Sequence, residues 1–151
     1  MASRNKKVAR LTTVLQNGET QNFARLDPYG YEIQEFDGIQ TVTRILSAAA
    51  SVNDTAVKAT PGKLFRVRGR NAKAAIVYMK LYDKVATVVQ ASDVPVATIE
   101  LAASAAFDID LGPRGLDFAN GIRICFTGAV GDTDTTALTS ADLVCVNIFS
   151  K

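Results

Sequence analysis

A chain of 151 residues, 48% apolar and 21% charged, carries enough Val, Ile, Leu and Phe for one packed domain, which excludes a disordered chain and leaves little room for two domains. A net charge of +2 does not by itself mark a nucleic-acid binder, and the absence of histidine removes Ser-His-Asp triads, Cys-His pairs and imidazole zinc sites. No apolar run approaches the roughly 20 residues that span a bilayer. The opening "MASRNKKVARLTTVLQ" has a basic start but no continuous apolar stretch behind it, so it does not read as a signal peptide, and synthesis in a cytoplasm is expected.

Residues 1–43 read as an N-terminal extended arm that docks on its own domain or on a neighbour. Within it "KKVARLTTVL" suits a strand, "QNGET" a turn, and "DPYGYEIQEF" an extended piece after Pro28. In "GIQTVTRILSAAA", Ile39, Val42, Ile45, Leu46 and Ala49 have helical spacing, whereas the Val, Thr and Ile content favours a strand, so 38–50 stays open between the two.

From residue 44 onward the spacing turns to period two. "TRILSA" and "TAVKA" come first, separated by "SVND". "KLFRVRGR" sets Leu64, Arg66, Arg68 and Arg70 against Phe65 and Val67; "AAIVYMKLYDK" sets Val77, Met79 and Leu81 against Tyr78, Lys80 and Tyr82. The "GRNAK" between them predicts a hairpin with one apolar face and one basic, aromatic face. "VATIEL" follows Pro95, then "AAFDID" closed by "GPRG", "GIRICFT" closed by "GAVGD", and "DLVCVNIF", in which Val144, Val146 and Ile148 are expected in the core with Ser150 and Lys151 outside. Eight short strands with turns between them indicate an all-β sandwich or barrel. Cys125 and Cys145 lie inside two of these strands and read as buried thiols, a cross-strand disulfide being the alternative.

Charge is segregated along the chain. Residues 1–10 carry Arg4, Lys6, Lys7 and Arg10 without an acid; residues 19–38 carry five acids against Arg25. Lys63–Lys84 holds seven basic residues and one acid, Asp93–Asp142 eight acids and two arginines. Such blocks suit complementary surfaces within or between molecules. Arg66, Arg68 and Arg70 with Tyr78 and Lys80 are therefore candidates for a protein interface, favoured over single-stranded nucleic acid because an acidic complement exists and no RNA-binding strand consensus does. The arm's Arg4, Lys6, Lys7 and Arg10, with Tyr29 and Tyr31, join them as interface candidates.

Other acidic groups invite chemistry that the pattern does not support. Asp132, Asp134 and Asp142 supply oxygens to a calcium loop on paper, but the glycine and terminal glutamate of an EF-hand are missing, and Asp and Thr also cap turns. No metal or cofactor is expected. Asp108 with Asp110, and Glu32 with Glu35, resemble glycosidase pairs in spacing, yet no tryptophan is present to form a sugar platform. The chain reads as non-enzymatic.

The ordered series "RILSAAASVNDTAVKATPGKLFRVRGRN", "VYMKLYDKVAT", "DVPVATIEL" and "GLDFANGIRICFTGAVGDTDTTALTSADLVCVNIF" resembles tailed-bacteriophage virion structural proteins of the capsid decoration or cement type, or of the head fibre and knob type, over about residues 44–151. The resemblance implies an eight-stranded, jelly-roll-like β-sandwich over 44–151, with 1–43 as an arm. It also implies a place on the capsid surface, the major capsid protein as partner, and a homotrimer. A fibre or receptor-binding module that recognises a host surface is the alternative. Its loops, "GAVGDTDTTALTSAD" and "KVATVVQASD", are poor in the aromatics that recognition surfaces favour.

Overall fold

The computed structural model describes residues 40–48 and 50–151 and, within residues 1–39, the backbones of four short strands. The chain divides into two compact units, Met1–Gly38 and Ile39–Lys151. In the first, β1 (Thr12–Val14) pairs antiparallel with β2 (Thr20–Asn22), and β3 (Arg25–Leu26) with β4 (Glu32–Ile33). The interface candidates Arg4, Lys6, Lys7, Arg10, Tyr29 and Tyr31, and the extended course expected of the arm, lie outside the described residues.

The second unit is all-β, with no helix among the described residues. One sheet runs in the order β10 (Ala106–Asp110), β7 (Gly62–Asn71), β13 (Leu143–Ser150), β5 (Thr41–Ile45), with β11 (Leu116–Phe118) continuing the β10 edge along β7. The other runs β6 (Thr55–Lys58), β12 (Ile122–Thr127), β8 (Val77–Asp83), β9 (Ala97–Leu101). All pairs are antiparallel and nested: β5 with β13, β6 with β12, β7 with β10, and β8 with β9. β7·β13 and β8·β12 then join these pairs into sheets. Thr41–Ile45 settles the open segment as a strand, which β-branched Thr, Val and Ile favour once a sheet offers β13 as a neighbour.

Period-two alternation explains the core. Val77, Met79 and Leu81 of β8 and Ile122, Ile124 and Phe126 of β12 point inward and meet Leu64 and Val67 of β7 and Val146 and Ile148 of β13 in one continuous apolar cluster. Each such side chain contributes roughly 1.5–3 kcal/mol on full burial. Two register shifts between β7 and β13 break the alternation there. Phe149 lies opposite Arg66 and Ser150 opposite Leu64, so Phe65 is an extra residue on β7, and Leu64 turns inward instead of sharing a face with the arginines. On β13, Val144 lies opposite Arg70 and Asn147 opposite Arg68, so Cys145 and Val146 share the place opposite Gly69. Cys145 there adopts a left-handed φ of 54°. Leu143 and Val146 become core while Val144 and Cys145 face out, which corrects the expectation that Val144 is core and Cys145 buried. Ser150, expected outside, is buried against β7.

The predicted hairpin between "KLFRVRGR" and "AAIVYMKLYDK" is also corrected, since β7 and β8 belong to opposite sheets. Asn71 shows why. Its side chain is fully buried, its Nδ2 donates to the carbonyls of Ala75 (3.0 Å), Leu101 (3.1 Å) and Ala102 (3.0 Å), and its Oδ1 accepts from Lys73 N (3.0 Å). The asparagine pins a crossing from one sheet to the other where a two-strand turn was expected.

Candidate functional site

The two outer faces of the sandwich differ. On the sheet containing β8 and β12, loops 84–96 and 128–137 fold back over the outward side chains. Tyr82 and Cys125 pack against Val88 of the first loop, and Lys80, with no exposed surface, donates from Nζ to the Gly131 carbonyl of the second. Burial pushes the Tyr82 hydroxyl and the Cys125 thiol each up to about 12. The first loop is anchored by Asp54. Its carboxylate accepts from Arg123 Nε (2.9 Å) and Nη2 (2.7 Å) and from Val88 N (3.1 Å), and Arg123 Nη1 donates to Val85 O (3.0 Å). The hydrogen bond and charge of Asp54 raise the Arg123 guanidinium above its ordinary value.

Asp134 of the second loop and Asp142 beyond it are engaged in local hydrogen bonds. Asp134 accepts from Ala129 N (3.0 Å), Thr136 N (3.2 Å) and Thr136 Oγ1 (2.7 Å), and Asp142 accepts from Thr139 N (2.7 Å) while Lys73 lies 3.7 Å away. Burial alone would raise both carboxyls, but these bonds outweigh it and hold them low. Among the described residues no three His, Cys, Asp or Glu side chains are grouped to hold a metal ion. The oxygens of Asp134 and Asp142 serve turn caps that lower Leu138 into the core.

The outer face of the other sheet has no such cover among the described residues, and it carries the arginines. Register aligns Arg44, Asn147, Arg68 and Asp108 in one row across β5, β13, β7 and β10, and Val42, Phe149, Arg66 and Asp110 in the next. Residues directly opposite in antiparallel strands share a face, so these rows are a surface. Arg66 grips Asp108 with two parallel hydrogen bonds, Nε to Oδ1 at 2.6 Å and Nη2 to Oδ2. The bond raises Arg66 and lowers Asp108 below the usual carboxylate range. Asp110 accepts from Gly112 N at 2.8 Å. Both oxygens of Asp108 are thus engaged by an arginine, and Asp110 Oδ1 by a backbone amide. Arg70 donates from Nη2 to Ser104 O at 3.0 Å, and Arg68 and Arg44 have no hydrogen-bonding or ion-pair partner among the described residues.

An open concavity of about 470 Å³ is sunk into this face, lined by Arg68, Arg70, Asp108, Cys145, Asn147 and Phe149. Gly69 lies opposite the two bulged residues, and a Cβ there would come within 2.9 Å of Phe107 and Val146 on the core side, while Arg68 and Arg70 rise from the outer face on either side of it. Bulges of this kind re-aim side chains beside functional sites.

The structure therefore brings Arg66, Arg68 and Arg70 together and places Tyr78 and Lys80 elsewhere. The shared basic, aromatic face is corrected, because β8 lies in the opposite sheet and Lys80 is buried beneath a loop. Sequence reading missed Arg44, Asn147 and Phe149 as neighbours of the arginines. "VNIF" shows alternation, but nothing in it names β7 and β5 as the strands on either side. The two cysteines are free, with Cys125 buried on one sheet and Cys145 exposed on the other. No family model, curated protein or solved structure matches this chain.

Proposed function

We propose that this chain is a non-enzymatic structural protein of a tailed-bacteriophage virion. It decorates the capsid surface and cements the shell by binding the major capsid protein. The observation that carries this reading is the asymmetry of the sandwich among the described residues: one outer face covered by loops, the other presenting Arg44, Arg66, Arg68 and Arg70 with Asp108 and Asp110 beside them. A cationic sheet face suits a protein partner, since arginine is enriched at interfaces. The nested strand pairing supports the finer fold assignment, a jelly-roll sandwich in which each strand pairs with its mirror along the sequence. Binding only to the assembled shell adds free energy that opening must overcome, so cementing follows from mass action.

Purified capsids of the parent phage test this. The full chain is expected to co-sediment with them and to raise the temperature at which the shells open, with Arg44→Glu, Arg68→Glu and Arg70→Glu together weakening both effects. Removal of residues 1–37 separates the arm's share from that of the sheet. Absence of capsid binding by the full chain refutes the reading, and undiminished binding by the triple variant removes the sheet face from it. The expected homotrimer is checked by sedimentation equilibrium.

A further inference from the structure

We propose that the arginine row of β7 receives an extended acidic peptide in which Asp or Glu recurs at every second residue. The peptide's owner, a neighbouring protein of the shell, rests on the decoration reading; the spacing does not. The sheet already contains the template. Asp108 and Asp110 of β10 stand opposite Arg68 and Arg66 of β7, an acid-any-acid segment set against an arginine-any-arginine segment. That internal complement is incomplete. Both oxygens of Asp108 are taken by Arg66, Asp110 is turned onto the Gly112 amide, and Arg70 faces Ala106. The guanidinium of Arg68 makes no hydrogen bond or ion pair among the described residues, and Arg70 donates one hydrogen bond, to the Ser104 carbonyl.

Alternate residues of an extended strand lie about 6.6 Å apart on one face. A second extended chain laid along the row has the same repeat, so carboxylates at alternate positions fall over Arg68 and Arg70 together. Consecutive acids point to opposite sides and cannot do this. Guanidinium forks donate hydrogen bonds to carboxylates in pairs, as Arg66 does here. The concavity between Arg68, Arg70 and Asn147 gives the incoming side chains room. An acidic saccharide finds no exposed ring to stack on among the described residues that line the concavity, since Phe149 and Phe107 are both half-buried.

Two blocked hexapeptides of identical composition, one alternating Asp and Thr and one with Asp at positions 1, 2 and 5 so that no two acids stand two residues apart, are titrated into the full-length protein at low salt. The alternating peptide is expected to bind about fivefold more tightly or better, the share of one exposed bidentate pair. Arg68→Ala with Arg70→Ala should abolish the preference, and Arg68→Lys should reduce it. Equal binding of the two peptides, a preference that survives the double variant, or tighter binding of a polygalacturonate oligomer overturns the proposal. A spacing preference without capsid binding keeps this site and sinks the decoration reading; capsid binding without the preference does the reverse.

Discussion

The Asp54–Arg123 pair lends itself to a quantitative test of what holds the covering loop to its sheet. Asp54→Ala removes a carboxylate that accepts three hydrogen bonds, leaving a guanidinium whose side chain is only 11% exposed without its counter-charge and the Val88 amide without its acceptor. Removing one partner of a buried ion pair costs about 3–5 kcal/mol, and the residual exposure of 11% and 14% places this pair at the lower end. A loss of about 3 kcal/mol is expected, roughly 10–15 °C in Tm for a unit of this size. Asp54→Leu combined with Arg123→Met should recover most of the loss, because an apolar pair of similar volume carries no desolvation penalty. Urea titrations followed by circular dichroism and tyrosine emission measure all three, since the chain has no tryptophan. A single-variant loss under about 1 kcal/mol, or a double variant as unstable as the single, refutes the assignment of this pair as the loop's anchor.

Asp83 accepts backbone N–H groups from Asn120 (2.7 Å), Ala119 (3.0 Å) and Gly121 (3.2 Å), and the bond from Asn120 leads in holding its carboxyl low; in Asp93 the hydrogen bond from Lys84 leads. A depressed native value means that the unfolded chain takes up protons first. The stabilisation is therefore complete above the unfolded carboxylate value of about 3.9 and is lost as pH falls through the native values. The urea midpoint should stay level from about pH 7 to 5 and drop below about pH 4, less steeply in Asp83→Asn, and a fall between 7 and 5 would contradict this. Asn71→Leu should cost about 3 kcal/mol in the same titrations, because three carbonyls lose their donor inside the crossing; a cost below about 1 kcal/mol would show that the crossing does not depend on it. Thiol titration of the native protein should find Cys145 reactive and Cys125 silent until denaturant is added, and two fast thiols would contradict the covered face. Cys145→Gly should raise stability by about 1 kcal/mol by relieving the left-handed backbone, whereas Cys145→Val should lower it.

Local pattern carried the strands into view and stopped at their neighbours. Val77, Met79, Leu81, Ile122, Ile124 and Phe126 advertise their facing by strict alternation, and all are core. Leu64 and Val144 were misassigned for one reason: a bulge adds a residue, and every position beyond it changes face. Nothing about Phe65 or Cys145 announces the insertion, because it is fixed by which strand lies opposite. Asn71 looked like a turn residue and is a buried crossing post, since an asparagine's propensity does not reveal which carbonyls will surround it. Lys80 was correctly placed outward but wrongly taken as accessible, because a loop some fifty positions later in the sequence covers it. The arginine row of the candidate site was legible. Its partners on β13 and β5 were not, as they come from nearly opposite ends of the sandwich sequence.

The central place of β13 between β5 and β7 also governs how the protein is made. Of the strands in this sheet the one translated latest sits at its centre, so β7 must wait with one edge open until Leu143–Ser150 has been made. Pairings of such sequence separation fold slowly, and an open edge in a slow folder invites pairing with other chains. A segment carrying three arginines in five residues is well suited to that wait, because nascent copies meeting edge to edge would stack like charges. The same row that equips the finished face for an acidic neighbour thus guards the unfinished one against its own kind.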